Sequence, residues 1–430
     1  MNNQIEVIKN AWRIADLRKK ILFTLFIILI FRIGNVIPVP FINIAELETA
    51  TASNQFFQYL SVLTGSRLEY GAIFAMGVTP YINASIILQL LSVAIPALER
   101  LSKEGEEGRK KIAQLTRYGT VILGLLQGTA YYIYLVNSKV LTIKSGLGWT
   151  IFAGAVIVLC FTAGSALVMW LGEQIDEKGI GNGISMLLFA GIIARGPQAF
   201  ATLVAYWGLP NGKIVTIAII VIFLLVIAFI VWMTNAERRL PVQYAKRVVG
   251  RKMYGGQNSH IPIKVNMSGV MPIIFASSIL MLPTMILSFM TNRTSFWAKV
   301  LGLFSTQGAL YAVIYFAMII AFAYFFVTIQ YNPVEMANNL RKNSGSIPGI
   351  RPGKPTSDFI QKVLSRITLI GALCLSVIAV GPILLSMISP NFAGVSLGGT
   401  SVLIIVGVAL ETVNNLESQM MMRHYKGFLD

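Results

Sequence analysis

Charge is the first thing this sequence lacks. Asp, Glu, Lys and Arg together make up 12% of its 430 residues, roughly half the share of an ordinary soluble domain. Hydrophobic residues make up 55% and gather into long, nearly uncharged runs separated by short basic stretches. That pattern excludes a soluble globular protein of ordinary design. Cysteine is also scarce. Cys160 and Cys374 both sit inside apolar runs without metal-ligand spacing, so neither a disulfide framework nor a thiolate metal site is expected. His260 and His424 fall in polar stretches far from any carboxylate cluster, and no metal or cofactor is expected.

Carboxylates are missing from the middle of every apolar run. Ion-coupled transport normally keeps one near the bilayer midplane, so a secondary transporter of small solutes remains only an alternative. Arg32 and Arg195 lie toward the outer ends of their runs and read as side chains that snorkel. Glu173 and Glu411 lie at inner ends and read as interfacial anchors. The glycine-rich stretch Gly179 to Gly183 lacks the Lys-Ser/Thr pair of a phosphate loop and follows no strand, so it reads as a tight turn between helices. No catalytic signature is present, and no enzyme is expected.

What is present is a set of apolar segments long enough to cross a bilayer, which takes about 20 residues per helix. Hydropathy places ten spans, at about 20–37, 71–95, 117–137, 149–171, 183–206, 213–233, 268–290, 308–330, 364–388 and 398–418. The basic stretch Arg13 to Lys20 before Ile21 to Ile37 resembles a signal peptide. No small-residue cleavage site follows, so it reads as the first span. Most of the net charge of +17 sits in the N-terminal segment, the C-terminus and the loops near 97–116, 234–267 and 331–363. Excess Lys and Arg marks the cytoplasmic side, so both termini are expected there. Ten spans divide into an N-terminal half, 1–206, and a C-terminal half, 207–430. An odd number in each half sets the two in opposite orientations, as in many transport proteins.

Several spans carry Gly, Pro and small polar residues. Pro80 in the second and Pro272 in the seventh are expected to bend those helices from within. Ile82 and Ile86 share one helix face. Gln55 to Leu63 is apolar but too short to span, so it can lie at the interface, re-enter or fill a cavity. In the loop at 234–267, Val242, Tyr244, Val248 and Val249 near a Gly-Gly pair point to a short hairpin. There and in the loop at 331–363, basic residues alternate with Tyr, Gly and Pro. Such tips suit docking to phosphate backbone or to acidic protein surface.

Seven stretches, in order along the chain, resemble the SecY family, which shares its fold with the alpha subunit of the eukaryotic translocon. They are FRIGNVIPVP (31–40), IFAMGVTPYINASIILQLL (73–91), GRKKIAQLTRY (108–118), MWLGEQIDEKGIGNGIS (169–185), PVQYAKR (241–247), IPGIRPG (347–353, with Leu340 before it) and GGTS (398–401). The resemblance implies an all-α membrane protein of ten helices in two inverted halves around a central pore. The pore passes unfolded polypeptide and releases apolar segments sideways into lipid. By position, Ile82, Ile86, Ile184, Leu188, Ile274 and Ile404 form the pore ring, with leucine at 188 where relatives often have isoleucine. Aliphatic side chains there hold no passing residue, and a narrow apolar ring resists wetting. Residues 55–70 match the plug helix, although Thr64 to Tyr70 departs from the glycine-rich form of that segment. The second, third, seventh and eighth spans form the lateral gate. Gln89 and Gln127 read either as polar residues beside it or as packing between helices. Arg247, Arg251 and Arg351 match docking tips for the ribosome or the SecA motor ATPase. Small SecE-type and SecG-type membrane subunits, a signal-peptide-bearing polypeptide substrate, the lipid bilayer and a bacterial plasma membrane location are implied as well.

Overall fold

The structure is a computed structural model and describes residues 11–52, 70–142, 146–208, 212–244, 247–249, 252–254, 258–289, 296, 301–302, 308–388 and 399–426. The expected plug segment, apart from Tyr70, lies outside the described residues. The chain divides into two compact units. One comprises Met1–Ala218, Met281–Thr306 and Ile404–Asp430; the other comprises Ile219–Leu280 and Gln307–Leu403.

The first unit opens with α1 (Ala15–Gly34), whose Leu22, Leu25, Phe26 and Leu29 are exposed. Water does not tolerate so continuous an apolar stripe; lipid does. The short α2 (Ile44–Ala52) follows. The second span does not begin as a helix at 71. Gly71 and Gly77 take φ of +56° and +54°, and the segment between them runs in turns beside the exit of α1. There the Ile73 N–H donates to the Ile37 carbonyl (3.0 Å) and the Val39 N–H to the Gly71 carbonyl (2.9 Å). The helix proper, α3 (Thr79–Ala94), starts with Pro80 in its first turn. Pro80 therefore initiates the helix rather than bending it, because its missing N–H falls where no intrahelical partner exists. Pro96 ends α3 by holding Ile95 extended. The chain then turns through 107° into α4 (Pro96–Lys103).

Next come α5 (Glu106–Asn137) and α6 (Leu147–Lys178). Both run well past the expected spans into polar sequence, because helix formers such as Glu, Lys and Gln continue the helix beyond the hydrocarbon. They pack closely through small residues. A β-carbon at Gly124 would meet Thr162 Cγ2 at 3.5 Å, and one at Gly128 would meet the Val158 carbonyl at 3.4 Å. The expected fifth span is broken into α7 (Gly183–Ile193) and α8 (Gly196–Trp207), since Gly196-Pro197 cannot carry the ladder through. α9 (Gly212–Asn235) follows, with Ile219 onward belonging to the second unit.

The second unit contains a small sheet. β1 (Glu237–Tyr244), β2 (Arg247–Val249), β3 (Lys252–Tyr254) and β4 (Asn258–Lys264) follow α9. β1 pairs antiparallel with β4, in the register Glu237↔Lys264 through Gln243↔Asn258, and β2 forms a hairpin with β3. The expected hairpin region is thus two ribbons. α10 (Met271–Phe289) starts one residue before Pro272, so this proline too sits in a first turn; the interior one is Pro283. α11 (Ala309–Gln330), α12 (Pro333–Lys342), β5 (Gly345–Ser346), α13 (Lys354–Ile388) and α14 (Gly399–Lys426) complete the order. β5 adds to the free edge of β1.

Among the described residues, seven helices are long and apolar enough to cross a membrane, or eight if the bent pair Thr79–Ala94 + Pro96–Ser102 counts as one span. The chain is a multi-pass helical membrane protein.

Candidate constriction and docking surfaces

Ile82 and Ile86 lie on α3, the first half-buried and the second 3% exposed; Ile184 and Leu188 lie on α7, half-buried and 3% exposed. Both helices pack against α6. Ile274 is buried near the start of α10 in the second unit, and Ile404 is buried on α14. None of the six side chains is exposed as the lipid-facing leucines of α1 are.

The turn that starts α7 is made by backbone packed on backbone. A β-carbon at Gly183 would lie 1.9 Å from the Gly172 carbonyl oxygen, and one at Gly172 would meet Ile184 Cδ1 at 2.6 Å. Side chains then fix the turn. Asp176 Oδ1 accepts from the Gly183 N–H (2.7 Å), and Asn182 Oδ1 accepts from the Ser185 N–H (3.0 Å) as the helix cap. Thr24 Oγ1 of α1 accepts from the Ile180 N–H (3.2 Å) while donating to the Lys20 carbonyl (3.0 Å). Across the turn, the Thr412 hydroxyl of α14 lies 3.7 Å from Met186 Sδ.

Arg32 does not snorkel. Its guanidinium reaches from α1 to the carbonyls of Ala190 and Gly191, the second at 3.5 Å. These carbonyls close α7, where a cation complements the helix dipole. The Ala190 carbonyl also accepts from the Ala194 N–H (3.3 Å), whereas the Arg195 N–H turns to the Ile192 carbonyl (3.1 Å) instead of to Gly191. Glu173 is likewise paired: its Oε1 accepts from Arg117 Nε at 2.8 Å, joining α5 to α6. No sequence spacing signals that pair. Gln89 is exposed and its Nε2 lies 3.4 Å from Ser85 Oγ on its own helix; Gln127 is half-buried on α5. Among the described residues, no group of His, Cys, Asp and Glu could hold a metal ion.

The expected docking residues lie in the second unit. Leu240, Val242 and Ile263 of the sheet pack with Val327, Leu340, Ile347, Ile360, Leu364 and Ile367 into one buried apolar cluster. Arg351 is exposed on the turn that leaves this cluster. Gly349 (φ +80°) and Gly353 (φ +108°) bracket it, and its own carbonyl accepts from the Thr356 hydroxyl (2.9 Å). The guanidinium therefore projects from a fixed tip rather than a loose loop. Arg247 lies in β2, and Arg251 lies outside the described residues.

Known proteins match both the architecture and the sequence. The fold is similar to that of a solved protein-conducting channel, with TM-score 0.65 at 18% identity, covering 94% of this chain and 92% of that one. It is also similar to Sec61 in a canine ribosome–channel complex from the endoplasmic reticulum, with TM-score 0.60 at 16% identity over 94% of this chain and 92% of that one. Among curated sequences, the protein translocase subunit SecY of Streptomyces coelicolor is 45% identical over 97% of this chain and 98% of its own. That of Mycobacterium bovis is 43% identical over 98% of both chains. That of Halalkalibacterium halodurans is 41% identical over 98% of this chain and 99% of its own. The SecY family model matches residues 72–413, which include six of the seven stretches whole and most of the last span; the chain belongs to the SecY family.

Proposed function

We infer that the chain is the pore-forming subunit of a protein translocase, a channel that passes unfolded secretory polypeptides across the membrane and lets apolar segments leave sideways into lipid. The observation that carries this reading is the pairing of Ile82 with Ile86 and of Ile184 with Leu188. Each pair stands four residues apart on its own helix, and both helices lean on α6. Such positions offer a passing chain no partner to bind. Arg32 and Glu173 are engaged in structural contacts, so neither serves as the mobile ion-coupling group a solute transporter needs.

In this reading, Ile274 and Ile404 complete the ring, and the chain makes ten crossings in two inverted halves, 1–206 and 207–430. Residues 55–70 act as the plug, and Gln89 and Gln127 border the lateral gate. The basic loops and both termini face the cytoplasm across a bacterial plasma membrane. Arg247, Arg251 and Arg351 meet the ribosome or the SecA motor, and SecE-type and SecG-type subunits complete the complex. Support comes from the excess of Lys and Arg in those loops and from the fixed exposed tip that carries Arg351.

The test is crosslinking in membrane vesicles. An arrested secretory chain should crosslink to a cysteine placed by Ile404→Cys and not to one placed by the lipid-facing Leu25→Cys. Equal labelling at both positions removes the pore assignment. Polar substitution of Ile82, Ile274 or Ile404 should raise ion leak severalfold; background conductance in all three misplaces the ring. Arg351→Glu should abolish binding of ribosomes or SecA to the vesicles, and undiminished binding removes the docking role.

A further inference from the structure

We propose that α1 is a splint for the constriction helix α7, with Arg32 as the positioning residue at one end and Thr24 at the other. The proposal rests on the reading above that α7 carries part of the pore ring. At 11 residues, α7 is about 16 Å long and makes up only the first half of the apolar stretch Gly183–Ala205. It begins at a turn and ends at a break within that stretch, and at both places backbone groups need partners from protein.

α1 supplies a partner at each end. At the start, Thr24 Oγ1 takes the Ile180 N–H. Gly179 permits this approach, since a β-carbon there would lie 2.6 Å from the same oxygen. At the finish, the Arg195 N–H turns back to the Ile192 carbonyl (3.1 Å) instead of continuing the α-helical ladder. The guanidinium of Arg32 donates to the carbonyls of Ala190 and Gly191 at that break. Thr24 and Arg32 are eight residues apart on α1, about 12 Å along its axis, which nearly matches the length of α7. The two helices run side by side in the same direction, tied near both ends. Ile184 and Leu188 lie between the ties, so their height and rotation are set by α1. Arginine suits the far tie because a single terminal nitrogen, Nη2, faces both carbonyls and the guanidinium keeps its charge in an apolar setting.

The experiment uses the full chain in proteoliposomes, with Cys160 and Cys374 changed to Ser and spin labels attached through Leu22→Cys on α1 and Ile193→Cys on α7. With Arg32 present, the label-to-label distance distribution should be narrow. Arg32→Met should broaden it, and Arg32→Lys should restore most of the narrowness. A distribution in Arg32→Met as narrow as with Arg32 overturns the proposal. Should Arg32→Met fail to insert, Thr24→Val carries the same test at the other end, with broadening expected and an unchanged width overturning. In a parallel arm, an arrested chain is crosslinked through Leu188→Cys or, as control, through Ile86→Cys on α3. Arg32→Met should lower crosslinking at 188 about tenfold, as expected when a charge-assisted contact is lost, and leave 86 unchanged. An equal drop at both positions overturns a specific role. If the chain reaches neither position with Arg32 in place, the pore-ring reading fails, and the spin-label widths still decide the splint.

Discussion

The turn between α6 and α7 and the platform around β1 are held by opposite means. At the turn, glycines bring backbone to backbone, and Thr24, Asp176 and Asn182 supply hydrogen bonds. In the platform, Leu240, Val242, Ile263, Leu340, Ile360 and Leu364 bury one another. The difference follows from the surroundings. A leucine gains nothing by leaving lipid for a helix interface, so packing inside a membrane relies on close approach and polar contacts. An element outside the bilayer can exploit water, which favours burial by about 25 cal/mol for each Å² of apolar surface. α5 and α6, which meet at Gly124, Gly128 and Thr162, also pack through small residues, though without the tight backbone approach of the turn.

Substitutions can break that comparison at either end. The largest effect is expected from Gly183→Ala, whose new methyl must push aside the Gly172 carbonyl at 1.9 Å. A loss of about 4 kcal/mol should appear as a sharp fall in the thermal midpoint of the detergent-solubilised protein. Ile360→Ala, at a position with 0% exposure, should lose about 3 kcal/mol through the cavity it leaves. Its signature is faster protease cleavage in the loop at 234–267, while the α6–α7 region keeps its protection. Arg117→Gln should change stability by about 0.5 kcal/mol, since the Arg117 and Glu173 side chains are 48% and 19% exposed and such pairs are weak in contact with water. Smallest of all is Gly124→Ala. Its new methyl meets Thr162 Cγ2 at ordinary contact distance, 3.5 Å, and the thermal midpoint should stay within experimental error. Should Gly124→Ala prove as damaging as Gly183→Ala, close approach would matter along the whole α5–α6 contact and not only at the turn.

Parts of this architecture were legible in the sequence for a definite reason. α9 and α11 fall within two residues of the expected 213–233 and 308–330, because uninterrupted apolar runs end there in polar residues. The start of α3 was not legible. Gly71 to Val78 is as apolar as the helix after it, and hydropathy does not distinguish a turn from a helix when both are greasy. The polar ends of α5, α6 and α13 were missed for the converse reason: a helix can continue into water, and hydropathy reports the solvent rather than the backbone. The paired roles of Arg32 and Glu173 depend on residues 158 and 56 positions away, beyond any local pattern. The six ring positions came from resemblance, since an isoleucine lining a pore and one facing lipid have the same composition and differ only in what stands opposite.

The bend between α3 and α4 has a mechanical consequence. A helix that turns through 107° cannot sink or rise along its own axis without dragging its neighbour with it. α4 runs nearly crosswise to α3. Leu98 and Leu101 are half-buried while Glu99 and Arg100 are exposed, so α4 turns one face to the protein and the other away from it. Any axial shift of Ile82 and Ile86 would therefore be passed through the bend to α4 and to α5, on which α4 packs.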